Sequence, residues 1–234
     1  MSDRVALVSG AARGIGFEVV RELASDGRFV FLGARDVAAG EEARASLGAL
    51  AERVEVVALD VADQASVDAC AEVVRARFGR LDVLVNNSGI ILDRGVSPLD
   101  VDFEVVRQTV EVNLFGAWRL TIAVVDRLRA AAPSRVVNVS SGMAQLSEML
   151  SISPGYRISK VGMNAMTRML HAELGSEGIS INSMCPGWVQ TPMGGEGAYL
   201  SVAEGADTIL WLLRLPDEEM PAGGFYKRRE LISW

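Results

Sequence analysis

The sequence predicts a doubly wound α/β fold, one sheet of seven parallel strands covered by helices on both faces. Three observations lead there. Short runs that are apolar on both strand faces alternate with helical stretches of 12 or more residues, as parallel neighbours require, since they can be joined only by crossover connections. The glycines cluster at the ends of the apolar runs. Finally, 234 residues, 50% of them hydrophobic, are enough for one large core, and no repeat, low-complexity tract or linker divides the chain.

In chain order the strands are expected at Val5 to Val8, Phe29 to Leu32, Val54 to Leu59, Leu81 to Val85, Arg135 to Val139, Ile179 to Ser183 and, more weakly, Phe225-Tyr226. Composition removes several function classes. The 30 acidic residues outnumber the 23 basic ones, and the longest basic run is Lys227-Arg228-Arg229, which argues against a nucleic-acid partner. Cys70 and Cys185 lie too far apart in sequence for a zinc cluster, so no metal is expected, and both read as reduced core thiols of a cytoplasmic protein. No export signal is read before the first strand, and no apolar stretch approaches the ~20 residues of a membrane span.

Ligands of such sheets bind beyond the strand C-termini. Directly after the first strand comes Ser9-Gly10-Ala11-Ala12-Arg13-Gly14-Ile15-Gly16, with glycines spaced GxxxGxG and a helix following at once. Glycine permits a tight turn and a close approach to a diphosphate, whose charge is favoured by the free N–H groups of the helix start. The turn reads as a dinucleotide site and not as an ATP loop, because no Lys-Ser or Lys-Thr follows the glycines.

The second strand runs into Leu32-Gly33-Ala34-Arg35-Asp36, which admits two readings. Asp36 stands about where a carboxylate would hold the ribose 2'-hydroxyl of NAD. Alternatively Arg35, with Arg13 from the glycine turn, faces the 2'-phosphate of NADP(H), and Asp36 is the N-cap of the next helix. The second reading is preferred. Asp60, after the third strand, is expected to bond the adenine amino group, against the plainer reading of a helix cap. Asn86-Asn87-Ser88-Gly89, after the fourth strand, is expected to lock strand ends together and line the adenosine groove.

Tyr156 and Lys160 stand four apart, on one face of a helix running toward Leu174. A tyrosine acting as acid-base near neutral pH needs its pKa lowered by about 3, roughly 4 kcal/mol, and an adjacent ammonium is the expected source. Ser141, at the end of the fifth strand, is placed to hydrogen-bond a substrate carbonyl. Asn113 interrupts a helical stretch, where its side chain either holds a water that relays protons from Lys160 or marks a kink. The single His171 reads as structural, since a Ser-His-Asp hydrolase would need a GxSxG elbow that is not present.

These motifs, in this order and over nearly the whole chain, resemble the short-chain dehydrogenase/reductase family, a Rossmann-type fold, in its NADP(H)-dependent, carbonyl-reductase-like branch. The resemblance rests on Ser9 to Gly16, Asn86 to Gly89, Asn113, Ser141, Tyr156 with Lys160, and Pro186-Gly187 with Thr191. It implies that Tyr156 is the acid-base, that Ser141 positions the carbonyl, that Lys160 orients the ribose and depresses the tyrosine pKa, and that Asn113 maintains the proton relay. For the cofactor it implies a lining of Gly10, Arg13, Gly14, Ile15 and Gly16, then Arg35, Asp60 and Val61, then Asn87, Ser88 and Gly89. Tyr156, Lys160, Pro186 and Gly187 complete it, with Thr191 and the Val189 backbone on the carboxamide.

Ser9 and Ser88 depart from the family's usual Thr and Ala but stay small. The gap from Ser141 to Tyr156 is about two residues longer than common, yet it lacks the long insertion of monomeric carbonyl reductases, so a homo-dimer or homo-tetramer is expected. One domain over residues 1–234 is expected, with substrate loops at 143–154 and 188–201. Apolar walls from Met143, Leu146, Met149, Trp188, Met193 and Tyr199 would suit a hydrophobic ketone, aldehyde or quinone. The expected activity is NADPH-dependent carbonyl reduction; a non-catalytic NADP(H)-binding sensor or scaffold is the alternative.

Overall fold

The computed structural model describes residues 4–234. Its strands are β1 (Val5–Ser9), β2 (Phe29–Ala34), β3 (Val54–Ala58), β4 (Val83–Asn86), β5 (Ser134–Val139), β6 (Ile179–Met184), β7 (Phe225–Lys227) and β8 (Glu230–Leu231). They form one sheet in the order β3-β2-β1-β4-β5-β6-β7-β8. The seven expected strands are present and mutually parallel. An additional two-residue strand, β8, returns antiparallel on β7, too short to carry an apolar pattern that a sequence reading could detect.

The helices are α1 (Gly14–Ser25), α2 (Val37–Ser46), α3 (Gln64–Phe78), α4 (Phe103–Val110), α5 (Ala117–Ala131), α6 (Pro154–Leu174) and α7 (Val202–Arg214). Several begin where the sequence offers a capping side chain. Asp36, Asp63 and Asp102 accept from the first-turn N–H groups of α2, α3 and α4, and Ser201 with Glu204 forms a reciprocal capping box on α7.

Alternation along the strands builds two cores. Ala6, Val8, Val30, Leu32 and Val137 face the layer of α1 and α7. Val5, Leu7, Phe31, Leu84 and Val136 face the layer of α3 and α5. Because β1 is followed outward by β2 and β3 while β4 starts the other half, the strand order reverses between β1 and β4. That reversal opens a crevice at the strand C-termini, where the glycine turn and the Asn86–Gly89 turn meet. No helix among the described residues is long and apolar enough to cross a membrane.

Candidate active site

The crevice is built first from backbone. The Ser9 hydroxyl accepts from the N–H groups of Asn87 and Ser88, both at 3.0 Å, and the Asn87 amide donates to the carbonyls of Ser9 (2.9 Å) and Gly10 (3.0 Å). Close approach demands glycine here. At Gly10, which has φ of +62°, a Cβ would lie 2.9 Å from Ser88 Oγ, and at Gly16 it would lie 2.5 Å from Asn87 Nδ2. Asn86 donates to Thr121 Oγ1 (3.0 Å) and to Asn138 Oδ1 (2.8 Å). The asparagines thus lock strand ends together, as expected.

The residues present fit a dinucleotide phosphate. The start of α1 carries no acidic residue in its first turn and no side-chain cap on its N–H groups, which leaves them free for an anion. Arg13 and Arg35 are exposed, and neither guanidinium has a hydrogen bond or ion pair among the described residues. Asp36 is committed to capping α2, accepting from Ala39 N at 3.2 Å. Asp60 does local work as well: its carboxylate accepts from Ala62 N at 3.0 Å, while Asp63 caps α3. Val61, 4% exposed, packs in the core beside Gly116, where it forbids any larger residue.

Tyr156 and Lys160 lie on successive turns of α6, with Lys160 Nζ 5.8 Å from the tyrosine ring centre. Ser141 stands beside the Tyr156 phenol, near enough to favour its ionised form. Ser141 Oγ also accepts from Met143 N at 3.1 Å, which aims the hydroxyl proton away from that N–H and into the cleft. Lys160 Nζ donates to Val139 O at 2.8 Å and lies beside Gly89 and Met193. Thr191 approaches Gly14, so the segment after β6 returns over the glycine turn.

Two expectations need correction. The phenol of Tyr156 is not lowered: burial pushes it up to about 12, against smaller downward effects of Ser141 and Arg94. The ammonium of Lys160 is itself buried, its pKa lowered to about 8 by desolvation. Loss of hydration outweighs attraction at this spacing. A phenol so raised stays protonated at neutral pH and is a proton donor.

The second correction concerns Asn113. Its side chain is fully buried in a π-helical turn, Glu111–Gly116, accepting from Ile90 N (2.8 Å) and donating to Ile90 O (2.9 Å) and Ser159 Oγ (3.0 Å). With both Nδ2 hydrogens committed, the side chain holds the Ile90 loop against α6. The helix is irregular here as the second reading held, although the irregularity is a widened turn and not a kink.

The expected walls divide. Met193 is brought to Gly89 and Lys160. Trp188 is 45% exposed, crosses Tyr199 edge-on at 6.2 Å and donates its indole N–H to Gly194 O at 2.8 Å, so it braces the loop 188–201. Met149 turns toward Arg157, its sulfur 3.8 Å from the guanidinium. Arg157 itself was missed. Buried beside Tyr156, it donates to Ile152 O (2.8 Å) and Met143 O (3.3 Å), gathering the loop 143–154. Cys185 is a free, buried thiol as expected, but its sulfur also accepts from Gly142 N (2.9 Å) and Gly187 N (3.4 Å), joining the Ser141 rim to the Pro186-Gly187 turn. Helical and apolar patterns could show neither contact, since the partners are backbone groups whose place depends on how the loops fold. His171 packs its ring on Gly175 and Gly223, away from the named groups.

The buried lysine has a measurable signature. An unfolded lysine titrates near 10.4, whereas Lys160 in the fold titrates near 8. Between these values the unfolded state binds more protons, so the Lys160 contribution makes the fold more stable as pH rises. Denaturant unfolding of wild type and Lys160→Met at about pH 7, 8 and 9.5 is expected to show the stability difference moving in favour of wild type with pH. A difference that stays flat would mean an ordinary, hydrated ammonium.

Comparisons with known proteins converge on this geometry. Residues 4–198 match the family model for short chain dehydrogenases. The (+)-neomenthol dehydrogenase of Arabidopsis thaliana is 32% identical over 100% of this chain and 99% of its own. Carbonyl reductase [NADPH] 1 of Bos taurus is also 32% identical, again over 100% and 99%. Among solved structures, the NADPH-bound carbonyl reductase from chicken fatty liver superposes with a TM-score of 0.88 at 26% identity over 100% of both chains. Salutaridine reductase from Papaver somniferum gives 0.87 at 26% identity over 96% of this chain and 99% of that one. With the match running from the first strand into the loop 188–201, the chain belongs to the short chain dehydrogenase family.

Proposed function

We propose that this protein is an NADPH-dependent reductase that converts a ketone, aldehyde or quinone to an alcohol, in a reaction reversible in principle. The observation that carries the reading is the meeting of Ser141 with a buried Tyr156, whose phenol burial keeps protonated, at the mouth of the crevice. The named relatives, among them carbonyl reductases [NADPH], support it over a binding-only sensor.

In the proposed mechanism residues 1–234 act as one NADP(H)-binding domain with substrate loops at 143–154 and 188–201. Gly10, Gly14, Ile15 and Gly16 leave room for the diphosphate over the start of α1, and Arg13 and Arg35 meet the 2'-phosphate. Asp60, Val61, Asn87, Ser88 and Gly89 line the adenosine side, and Pro186, Gly187, Val189 and Thr191 the nicotinamide side. When bound, NADPH supplies the hydride that reduces the carbonyl carbon. Ser141 donates a hydrogen bond to the carbonyl oxygen, fixing it beside Tyr156 Oη. Tyr156 gives its proton to that oxygen as negative charge develops there. Lys160 bonds the ribose and supplies the positive charge that lets the phenol release its proton. Asn113 holds the Ile90 loop and Ser159 in place behind them. Met143, Met149, Trp188 and Met193 form the apolar side of the substrate cleft.

Phe115, Ile122, Ile158 and Met169 leave a large exposed apolar surface on α5, α6 and the π-helical turn, which supports a homo-dimer or homo-tetramer. Light scattering after gel filtration is expected to return two or four times 25.1 kDa; a monomer at micromolar concentration would rule this out. A cytoplasmic location is part of the same reading and is open to cell fractionation.

Two substitutions test the chemistry. Tyr156→Phe is expected to lower kcat by roughly 10²–10⁴-fold while leaving the Kd for NADPH within about twofold; an active mutant would refute the mechanism. Arg35→Ala removes a charge-assisted contact of about 1.5–3 kcal/mol, so NADPH affinity should fall roughly 10- to 100-fold with little change for NADH. Equal losses for both cofactors would overturn the assignment of the 2'-phosphate site.

A further inference from the structure

Helix α6 carries both Tyr156 and Lys160, yet its own sequence does not cap it. Ser153, the residue before the first turn, sits in the left-handed region at φ of +56° and makes no side-chain bond to the helix. Its hydroxyl instead accepts from Gly95 N at 3.1 Å. Pro154 has no N–H. The first free donors of the helix are therefore those of Gly155 and Tyr156.

Both are taken by Asp93, 62 residues earlier in the chain. Its Oδ2 accepts from Gly155 N at 2.6 Å and from Tyr156 N at 3.4 Å. Asp93 is 1% exposed, and its other oxygen, Oδ1, has no hydrogen-bond partner. A fully buried carboxylate is costly unless its charge is met, and here a helix N-terminus meets it. Gly155 keeps the approach open, since a Cβ there would lie 3.1 Å from Asp93 Oδ2 and 3.2 Å from the Val106 backbone.

The loop that delivers Asp93 is held at both sides. Asn113 grips Ile90 through its N–H and its carbonyl. Arg94, the next residue, donates to the Met193 carbonyl in the loop 188–201. Consecutive side chains of one loop thus reach the backbone of the tyrosine and the backbone over the substrate cleft.

We propose that Asp93 is a positioning residue for the proton donor: its carboxylate oxygen sets the height and rotation of the first turn of α6, and thereby the place of Tyr156 Oη opposite Ser141. The proposal rests on the reading of Tyr156 as the proton donor. It requires an acceptor at a given point more than a charge, which separates position from simple electrostatics.

Two nearly isosteric variants divide these. Asp93→Asn keeps an oxygen at the same distance and is expected to retain kcat within about threefold. Asp93→Glu keeps the charge but carries the carboxylate one methylene further. It is expected to lower kcat on the order of 10- to 100-fold, as misplacement by about 1 Å does, with the Kd for NADPH within about twofold. In Asp93→Glu the solvent deuterium isotope effect on kcat should also rise, because proton transfer becomes the slow step. Wild-type kcat in Asp93→Glu, or a loss in Asp93→Asn as large as that in Asp93→Glu, would overturn the proposal. So would a loss shared by NADPH affinity, which would indicate general damage to the fold. Tyr156→Phe run alongside separates the two claims: if it stays active, the proton-donor reading fails, and if it is inactive while Asp93→Glu is normal, only the role of Asp93 fails.

Discussion

Side-chain hydrogen bonds running under the crevice hold together the ends of β4, β5 and β6 and the helix that carries Tyr156 and Lys160. Thr121 on α5 meets Asn86 on β4, Asn86 meets Asn138 on β5, Asn138 donates to Thr167 on α6, and Thr167 meets Ser183 on β6. All five residues are buried. In so dry a place an unpaired polar group costs about 1–3 kcal/mol, so the register that forms these bonds is favoured, although Asn86 Oδ1 stays without a partner. That register puts Ser141, which follows β5, beside the phenol of Tyr156 on α6. The Ser9 hydroxyl does the same for the other half of the site by holding the ends of β1 and β4 together.

The electrostatics of the site follow from this burial. Tyr156 and Lys160 are 8% and 3% exposed, and removal from water drives both toward their neutral forms. Such a pair answers strongly to any charge that enters the cleft, because little water is left to screen it. The protein carries an excess of acid overall, yet Arg13 and Arg35 at the crevice have no acidic partner among the described residues. Most other guanidiniums pair on the surface, as Arg214 does with Glu22 and Asp26. Charge is left uncompensated where a phosphate would need it.

Much of this was legible beforehand. The strands of the parallel sheet, the glycine turn, the Asp36 cap, the asparagine lock and the spacing of Tyr156 and Lys160 are local patterns, and local patterns are what periodicity and turn chemistry report. The misreadings share one cause. Asn113 looked like a group facing the cleft because the direction of a side chain depends on partners far along the chain. Arg157, between Tyr156 and Lys160, would be read as solvent-facing on charge alone; only the arrival of the Met143 and Ile152 carbonyls shows why it can be buried. Asp93 left no mark, since nothing near it in sequence announces the helix it caps.

The sequence by itself thus determined the fold class, the glycine turn proposed to hold the dinucleotide and the identity of the groups proposed to move a proton, because each is encoded in contiguous residues whose spacing matches a turn, a strand or one helix face. Only the tertiary structure decided how those groups are held and charged. The height of the Tyr156 phenol pKa, the engagement of Asn113, the thiol of Cys185 between two turns and the reach of Asp93 to the start of α6 all arise from burial and from contacts across many tens of residues. Desolvation and long-range hydrogen bonding have no period along the chain, so they come into being only when the sheet closes its crevice.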